Sequence, residues 1–122
     1  MISAFRPDYT LRENVLRTNF LKRQIKRLGL SFNMAIGCYV GARELSLSVD
    51  VEPINVESVM TLANFLEQES IMIDTKEGEV FLMYCKNNRP ESIGDHFIEV
   101  DKSKALSSDN YSIISGRYYI VA

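Results

Sequence analysis

The sequence predicts an α+β fold: an antiparallel sheet with two helices on one face and extra strands at the C-terminal end. Three observations predict it. Apolar residues recur every three or four positions in two stretches, Leu16 to Leu28 and Val59 to Leu66. From Phe32 to Val51 apolar and polar residues alternate instead. Strand-like runs precede the first helical stretch and follow the second, so the order is β-α-β-β-α-β.

Met1 to Phe5 is a short apolar strand, broken by Pro7. A strand at the first residue leads to the expectation of a missing leader. Thr10-Leu11-Arg12-Glu13 is a capping box, in which a Thr hydroxyl accepts from the N3 amide while Glu13 reaches back. The helix then runs to about Leu28, with Leu16, Phe20, Leu21, Ile25 and Leu28 as one apolar stripe and Gly29 suited to the C′ position. Phe32, Met34, Ile36, Cys38 and Val40 alternate with Asn33, Ala35, Gly37 and Tyr39. Gly41 allows a turn, and Leu45, Leu47, Val49 and Val51 alternate with Glu44, Ser46, Ser48 and Asp50. An antiparallel hairpin with one buried and one polar face follows.

Pro53 stops that strand, and Asn55 is a natural N-cap for a second helix that ends near Gln68. Its apolar face is Val59, Leu62, Ala63 and Leu66. Ser70 to Asp74 and Glu79 to Cys85 read as strands joined by a turn at Lys76-Glu77-Gly78. Asn87 to Asp95 reads as a polar loop, Phe97 to Val100 as a short strand, and Ser103 to Asp109 as a loop. Tyr111 to Val121 holds one or two strands around Gly116. The order matches a ferredoxin-like two-layer sandwich, a split β-α-β unit with extra C-terminal strands. The 122 residues make one domain, with no internal repeat, low-complexity tract or linker.

Hydrophobic residues make up 46% of the chain, too many for a disordered one. No apolar run approaches the length that crosses a bilayer, and the N-terminus lacks the regions of a signal peptide, so a cytoplasmic protein is expected. Cys38 and Cys85 sit in apolar, strand-like segments, which fits buried thiols in a reducing compartment better than a disulfide framework. With His96 the one histidine and no Cys pair at zinc-finger spacing, a His-rich metal site is excluded. The net charge of −2 shows no bias toward nucleic acid. Arg12, Arg17, Lys22, Arg23, Lys26 and Arg27 cluster in the first helix as its solvated face, without the interleaved aromatics of a nucleic-acid surface.

P-loop, GxGxxG, GxSxG and HExxH motifs are absent. A catalytic triad would need His96, and nothing in the sequence sets a Ser or Asp around it, so His96 reads as a bystander. The carboxylates are more suggestive. Glu44 begins a strand on its polar face, just after Gly37-Cys38-Tyr39-Val40-Gly41. Glu67, Gln68 and Glu69 crowd the end of the second helix, where negative charge opposes the helix dipole. They are either ordinary surface charge or a pocket for a cationic ligand whose binding offsets that cost.

Several stretches add up across the whole chain: Ser3-Ala4-Phe5-Arg6 in the first strand, and Asn14, Arg17 and Leu21 in the first helix. Gly37-Cys38-Tyr39 follows, then Glu44 with its alternation through Val51. Leu62-Ala63 and then Glu67-Gln68 precede an apolar strand, and Phe97-Ile98-Glu99-Val100 and Gly116-Arg117 lead the aromatic-rich end. In their order and spacing the sequence resembles the phage-encoded S-adenosylmethionine lyases, long called hydrolases. The stretch from Tyr39 to Glu44 is short for that family.

The resemblance implies a small α+β enzyme, a homotrimer with active sites at subunit interfaces. It implies cleavage of S-adenosylmethionine to methylthioadenosine and homoserine lactone with no cofactor, metal, nucleic acid or membrane. The biological role it implies is depletion of the methyl donor in the cytoplasm of an infected bacterial host, blunting methylation-dependent restriction. The chemistry suits a chain without a triad. The sulfonium is a good leaving group, and the substrate's own carboxylate can attack the γ-carbon, so the enzyme must fold the substrate and exclude water.

On this resemblance Glu44 and Tyr39 are the catalytic pair. Glu44 pairs with the substrate ammonium or the cationic region near sulfur, and Tyr39 orients the carboxylate or stacks near the adenosine. Gln68 and Glu67 exchange hydrogen bonds with ribose hydroxyls, and Cys38 and Phe5 complete the substrate-binding set. Two alternatives stand beside this. One is a hydrolase in which a carboxylate base activates water and homoserine forms directly. The other is a non-catalytic phage protein that binds a host factor through the basic first helix.

Overall fold

The structure, a computed structural model, describes residues 1–75 and 77–122. The turn expected at Lys76-Glu77-Gly78 includes Lys76, which lies outside the described residues. In chain order the elements are β1 (Ile2–Ser3), α1 (Leu11–Arg27), β2 (Phe32–Tyr39), β3 (Ala42–Val49), α2 (Val56–Phe65) and β4 (Ser70–Asp74). They continue as β5 (Val80–Tyr84), β6 (Arg89–Gly94), β7 (Phe97–Val100), a short α3 (Lys102–Leu106), β8 (Asn110–Ile114) and β9 (Arg117–Val121). The class is α+β, and every paired strand is antiparallel to its neighbour.

β3 lies between β1 and β2, which is the split β-α-β arrangement. A second, three-stranded sheet runs β4-β5-β6. At one edge the two meet through a reciprocal pair. The Met1 ammonium donates to the Met72 carbonyl at 2.6 Å, and the Met72 amide donates to the Met1 carbonyl at 3.1 Å. β4 thus stands beside β1, in the ferredoxin-like order β4-β1-β3-β2. The helices cover the face that carries Ile2 and Leu47. There Leu21, Ile25, Val59, Met60, Ala63, Leu66 and Ile71 form the main core.

The extra strands wrap this sheet. The full order is β6-β5-β4-β1-β3-β2-β8-β9-β7, yet β6 passes into β7 through Asp95 and His96 alone. At about 4.8 Å per strand a flat sheet would set its ends roughly 38 Å apart. The peptide links from Gly94 to Phe97 reach at most about 11 Å, so the sheet curls back on itself. The corner is pinned by Asp95 and His96 amides donating to the Ala122 carbonyl at 2.8 and 3.3 Å, and by the Ala122 amide donating to His96 at 2.8 Å.

Curling buries the face away from the helices, and here the hairpin departs from expectation. Ser3, Ser46 and Ala35 lie in register, as do Glu44, Gly37, Ser112 and Tyr119. Ser46 and Glu44 are two apart on β3, so all share the inner face. Ala35, Ser46, Ser3 and Ser112 are buried although they lie on the face away from the α1–α2 core. Val80, on the same inner face, is fully buried as well, and the Met1 methyl lies beside Gly37. The polar alternation 44-46-48 reflects a narrow interior of small and hydroxyl side chains rather than a wet face.

Local expectations fared unevenly. The capping box forms: the Glu13 amide donates to Thr10 Oγ1 at 3.1 Å, and the Thr10 amide donates to Glu13 Oε1 at 3.0 Å. Gly29 takes the left-handed backbone at φ 75°. The apolar stripe of α1 does not all reach the core, since Leu16 is 61% exposed and Leu28 37%. The inward line is Asn14, Thr18, Leu21 and Ile25, because Asn14 binds the incoming chain. Asn55 makes no side-chain cap; a 3₁₀ turn at Pro53–Asn55 leads into α2 and already holds Asn55 in helical geometry. α2 ends at Phe65, short of Gln68. The stretch read as the polar loop Asn87 to Asp95 contains β6, and Ser103 to Asp109 begins inside α3, capped by Asp101 Oδ1 accepting from the Lys104 amide at 2.7 Å.

Candidate functional site

Glu44 stands on β3, facing the inner side of the sheet, half-buried. Burial pushes its carboxyl above the ordinary carboxylate range, and its hydrogen bond with Ser3 works more weakly in the other direction. The Ser3 hydroxyl donates its proton to the Leu45 carbonyl at 2.6 Å and accepts from the Phe5 amide at 3.0 Å. The Phe5 carbonyl in turn accepts from Gln68 Nε2 at 3.3 Å. Glu44, Phe5 and Gln68, far apart in sequence, are therefore linked through Ser3.

Gln68 and Glu67 sit where α2 exits. The Glu67 amide donates to Asn64 and the Gln68 amide to Ala63, both at 3.0 Å, which is the Schellman pattern. Its C′ residue is Glu67, at φ 59°, where glycine is the usual occupant. Arg6 and Arg17 donate to the Glu67 and Leu66 carbonyls, so two guanidiniums answer the acidic charge at this helix end. The Tyr9 hydroxyl donates to Glu67 Oε1 at 3.2 Å. Glu67 and Gln68 line an open cleft of about 560 Å³ with Asn64, Glu69, Tyr84 and Arg89.

Tyr39 ends β2, two residues beyond Gly37, which pairs with Glu44. Its side chain is on the same face as Glu44 and is 69% exposed. Cys38 is on the other face. It pairs with Arg43 and Tyr111 and is buried at the floor of a second cleft, of about 300 Å³. Arg43 Nη2 donates to the Tyr111 hydroxyl there at 3.3 Å. Within one chain, then, the six residues do not converge. Glu44, Phe5, Gln68 and Glu67 form one linked group, Tyr39 lies beside it across the sheet face, and Cys38 stands apart.

Sequence reasoning gave Ser3, Arg6, Tyr9 and Asn14 no site role and set Arg17 on the solvated face of the first helix, whereas its half-buried guanidinium is turned to the Ala4 and Leu66 carbonyls. Asn14 is buried; its Oδ1 accepts from the Arg6 amide at 2.8 Å and its Nδ2 donates to the Arg6 carbonyl at 2.9 Å. The available signal was polar Asn14 and Thr18 at the same helical spacing as Leu21 and Ile25. Among the described residues no three His, Cys, Asp or Glu side chains gather as metal ligands, and no helix is long and apolar enough to cross a membrane.

No curated protein matches the sequence. A family model described as "S-Adenosylmethionine lyase family" matches residues 1–122, the whole chain.

Proposed function

From the premise that the chain belongs to the S-adenosylmethionine lyase family and is a carbon–sulfur lyase, we propose that it splits S-adenosylmethionine into methylthioadenosine and homoserine lactone. The substrate carboxylate attacks its own γ-carbon, the C–S bond breaks, and the bonding pair returns to sulfur as a neutral thioether. No proton need move. Holding both ends of one molecule in attack geometry can be worth roughly 7–11 kcal/mol in the best cases.

The observation that carries this reading is Glu44, a half-buried carboxylate tied through Ser3 and Phe5 to Gln68. A carboxylate destabilised by burial gains most from a cation, and the substrate ammonium supplies one. Placed at the ammonium, Glu44 orients the substrate. Placed at sulfur, it would stabilise the ground state more than a transition state in which the positive charge disperses. Tyr39 orients the carboxylate or packs by the adenosine, Gln68 and Glu67 exchange hydrogen bonds with the ribose, and Phe5 and Cys38 complete the lining.

Cys38 stands away from the Glu44–Gln68 group in one chain and Tyr39 beside it is largely exposed, which supports a site completed between copies in a homotrimer. The biological reading is removal of the host's methyl donor by a phage protein in the bacterial cytoplasm, as an anti-restriction measure.

The test is turnover in isotopically labelled water. The expected products are methylthioadenosine and, trapped early, unlabelled homoserine lactone. Label on the γ-hydroxyl of homoserine from the first turnover, with no early lactone, would overturn the lyase route in favour of attack by water.

A further inference from the structure

The left-handed exit of α2 is held by a side chain from α1 that the proposed chemistry does not use. Arg17 Nε donates to the Ala4 carbonyl at 2.8 Å, and its Nη2 donates to the Leu66 carbonyl. Its guanidinium lies 4.7 Å from the centre of the Tyr9 ring, whose hydroxyl reaches Glu67. The same Leu66 carbonyl accepts from Gln68 Nε2 at 3.4 Å, and Phe5, next to Ala4, accepts from that amide as well. One planar group thus joins three segments: the Ala4-to-Tyr9 stretch, α1, and the turn carrying Glu67 and Gln68.

We propose that Arg17 is a positioning residue that locks the Leu66-Glu67-Gln68 turn against Ala4 and Phe5 and so sets the direction in which Gln68 meets the substrate. This rests on the reading of Gln68 as a substrate contact. The geometry asks for arginine. Two carbonyls are met by different nitrogens of one plane while the face of that plane covers Tyr9, and a lysine ammonium, whose three donors sit on one nitrogen with no planar face, cannot do all three. An arginine with only a structural role would change the folded fraction and the melting temperature. It would leave KM of the folded enzyme unchanged.

The experiment is a double-mutant cycle read in KM for S-adenosylmethionine, with kcat and melting temperature alongside, on the full chain carrying Arg17→Lys, Gln68→Ala or both. Arg17→Lys is expected to raise KM roughly tenfold, about the effect of one misplaced hydrogen bond. Gln68→Ala should raise it at least as much, and the double variant should be no worse than Gln68→Ala alone, because the two act through one contact. An unchanged KM in Arg17→Lys, or effects that multiply in the double variant, overturns the assignment while the reading of Gln68 stands. An unchanged KM in Gln68→Ala overturns that reading and the assignment with it. Should Arg17→Lys not fold, Arg17→Gln, a neutral side chain with one amide donor group, goes through the same cycle.

Discussion

Glu44 answers to two opposed demands. Among the described residues no cation pairs with it, and burial raises its folded-state pKa above the ordinary value of 4.5. Between those two values the folded chain binds more protons than the unfolded one, so stability falls as pH rises through that window and then stays level. Above that window the fold holds a carboxylate that its burial disfavours. Glu44→Gln is therefore expected to melt at a higher temperature than the parent at pH 7.5. Near pH 4, where the parent's carboxyl is already protonated in the fold, that advantage should shrink. The same change should lower turnover by roughly one to two orders of magnitude, the weight of a charge-assisted hydrogen bond. In the parent, KM should rise as pH falls through the raised pKa, since the protonated acid cannot hold an ammonium, and Glu44→Gln should lose that dependence. A variant both less stable and fully active would refute the assignment of Glu44.

The β2–β3 hairpin stores strain at one residue. Its two-residue loop has Val40 at φ 47° and Gly41 at φ 82°, the geometry of a turn that favours Asn-Gly. A β-branched residue is poorly suited to a left-handed backbone, and Val40 is largely exposed, so packing does not explain it. Val40→Asn is expected to stabilise the chain by about 1 kcal/mol, visible as a higher urea midpoint with an unchanged slope. Lack of any gain would mean that the loop is not strained. At this scale the sequence was legible wherever a strong period met a punctuating residue: Thr10 and Glu13 marked the start of α1, and alternation from Phe32 to Val49 marked two strands. β6 escaped because Arg89-Pro90-Glu91-Ser92 has no apolar alternation; at the end of its sheet this strand buries little. α3 escaped because one residue of it, Ala105, faces inward. Within the proposed site, the polar start of β3 pointed to Glu44 and the acidic run after the second helix to Glu67 and Gln68, whereas the left-handed turn that carries them needed the backbone. A Glu at C′ resembles any surface Glu until its φ is seen.

The curled sheet depends on close approach at its corner. A Cβ on Gly94 would lie 2.4 Å from Val121 Cγ1 and 2.7 Å from the Ala122 carbonyl oxygen, so even one methyl must push β6 from the end of β9. Gly94→Ala is expected to destabilise the fold by about 1–3 kcal/mol, the range for overpacking, measured by denaturant unfolding. Gly37→Ala is the fitting control, since its Cβ would meet its neighbours at ordinary contact distances of 3.6 Å and more. Equal melting of Gly94→Ala and the parent would show that the corner is loose. The corner also sets a timetable for biosynthesis. β8 and β9 stand between β2, made early, and β7, and they are the last of the described strands to leave the ribosome. Until they arrive, β2 has a bare edge, β7 has no neighbour, and the serine-lined interior around Glu44 is open to water. A nascent chain can pack its helices on β1 to β4 long before it owns a closed interior, so the surroundings of Glu44 are completed by the final strands, as one late event.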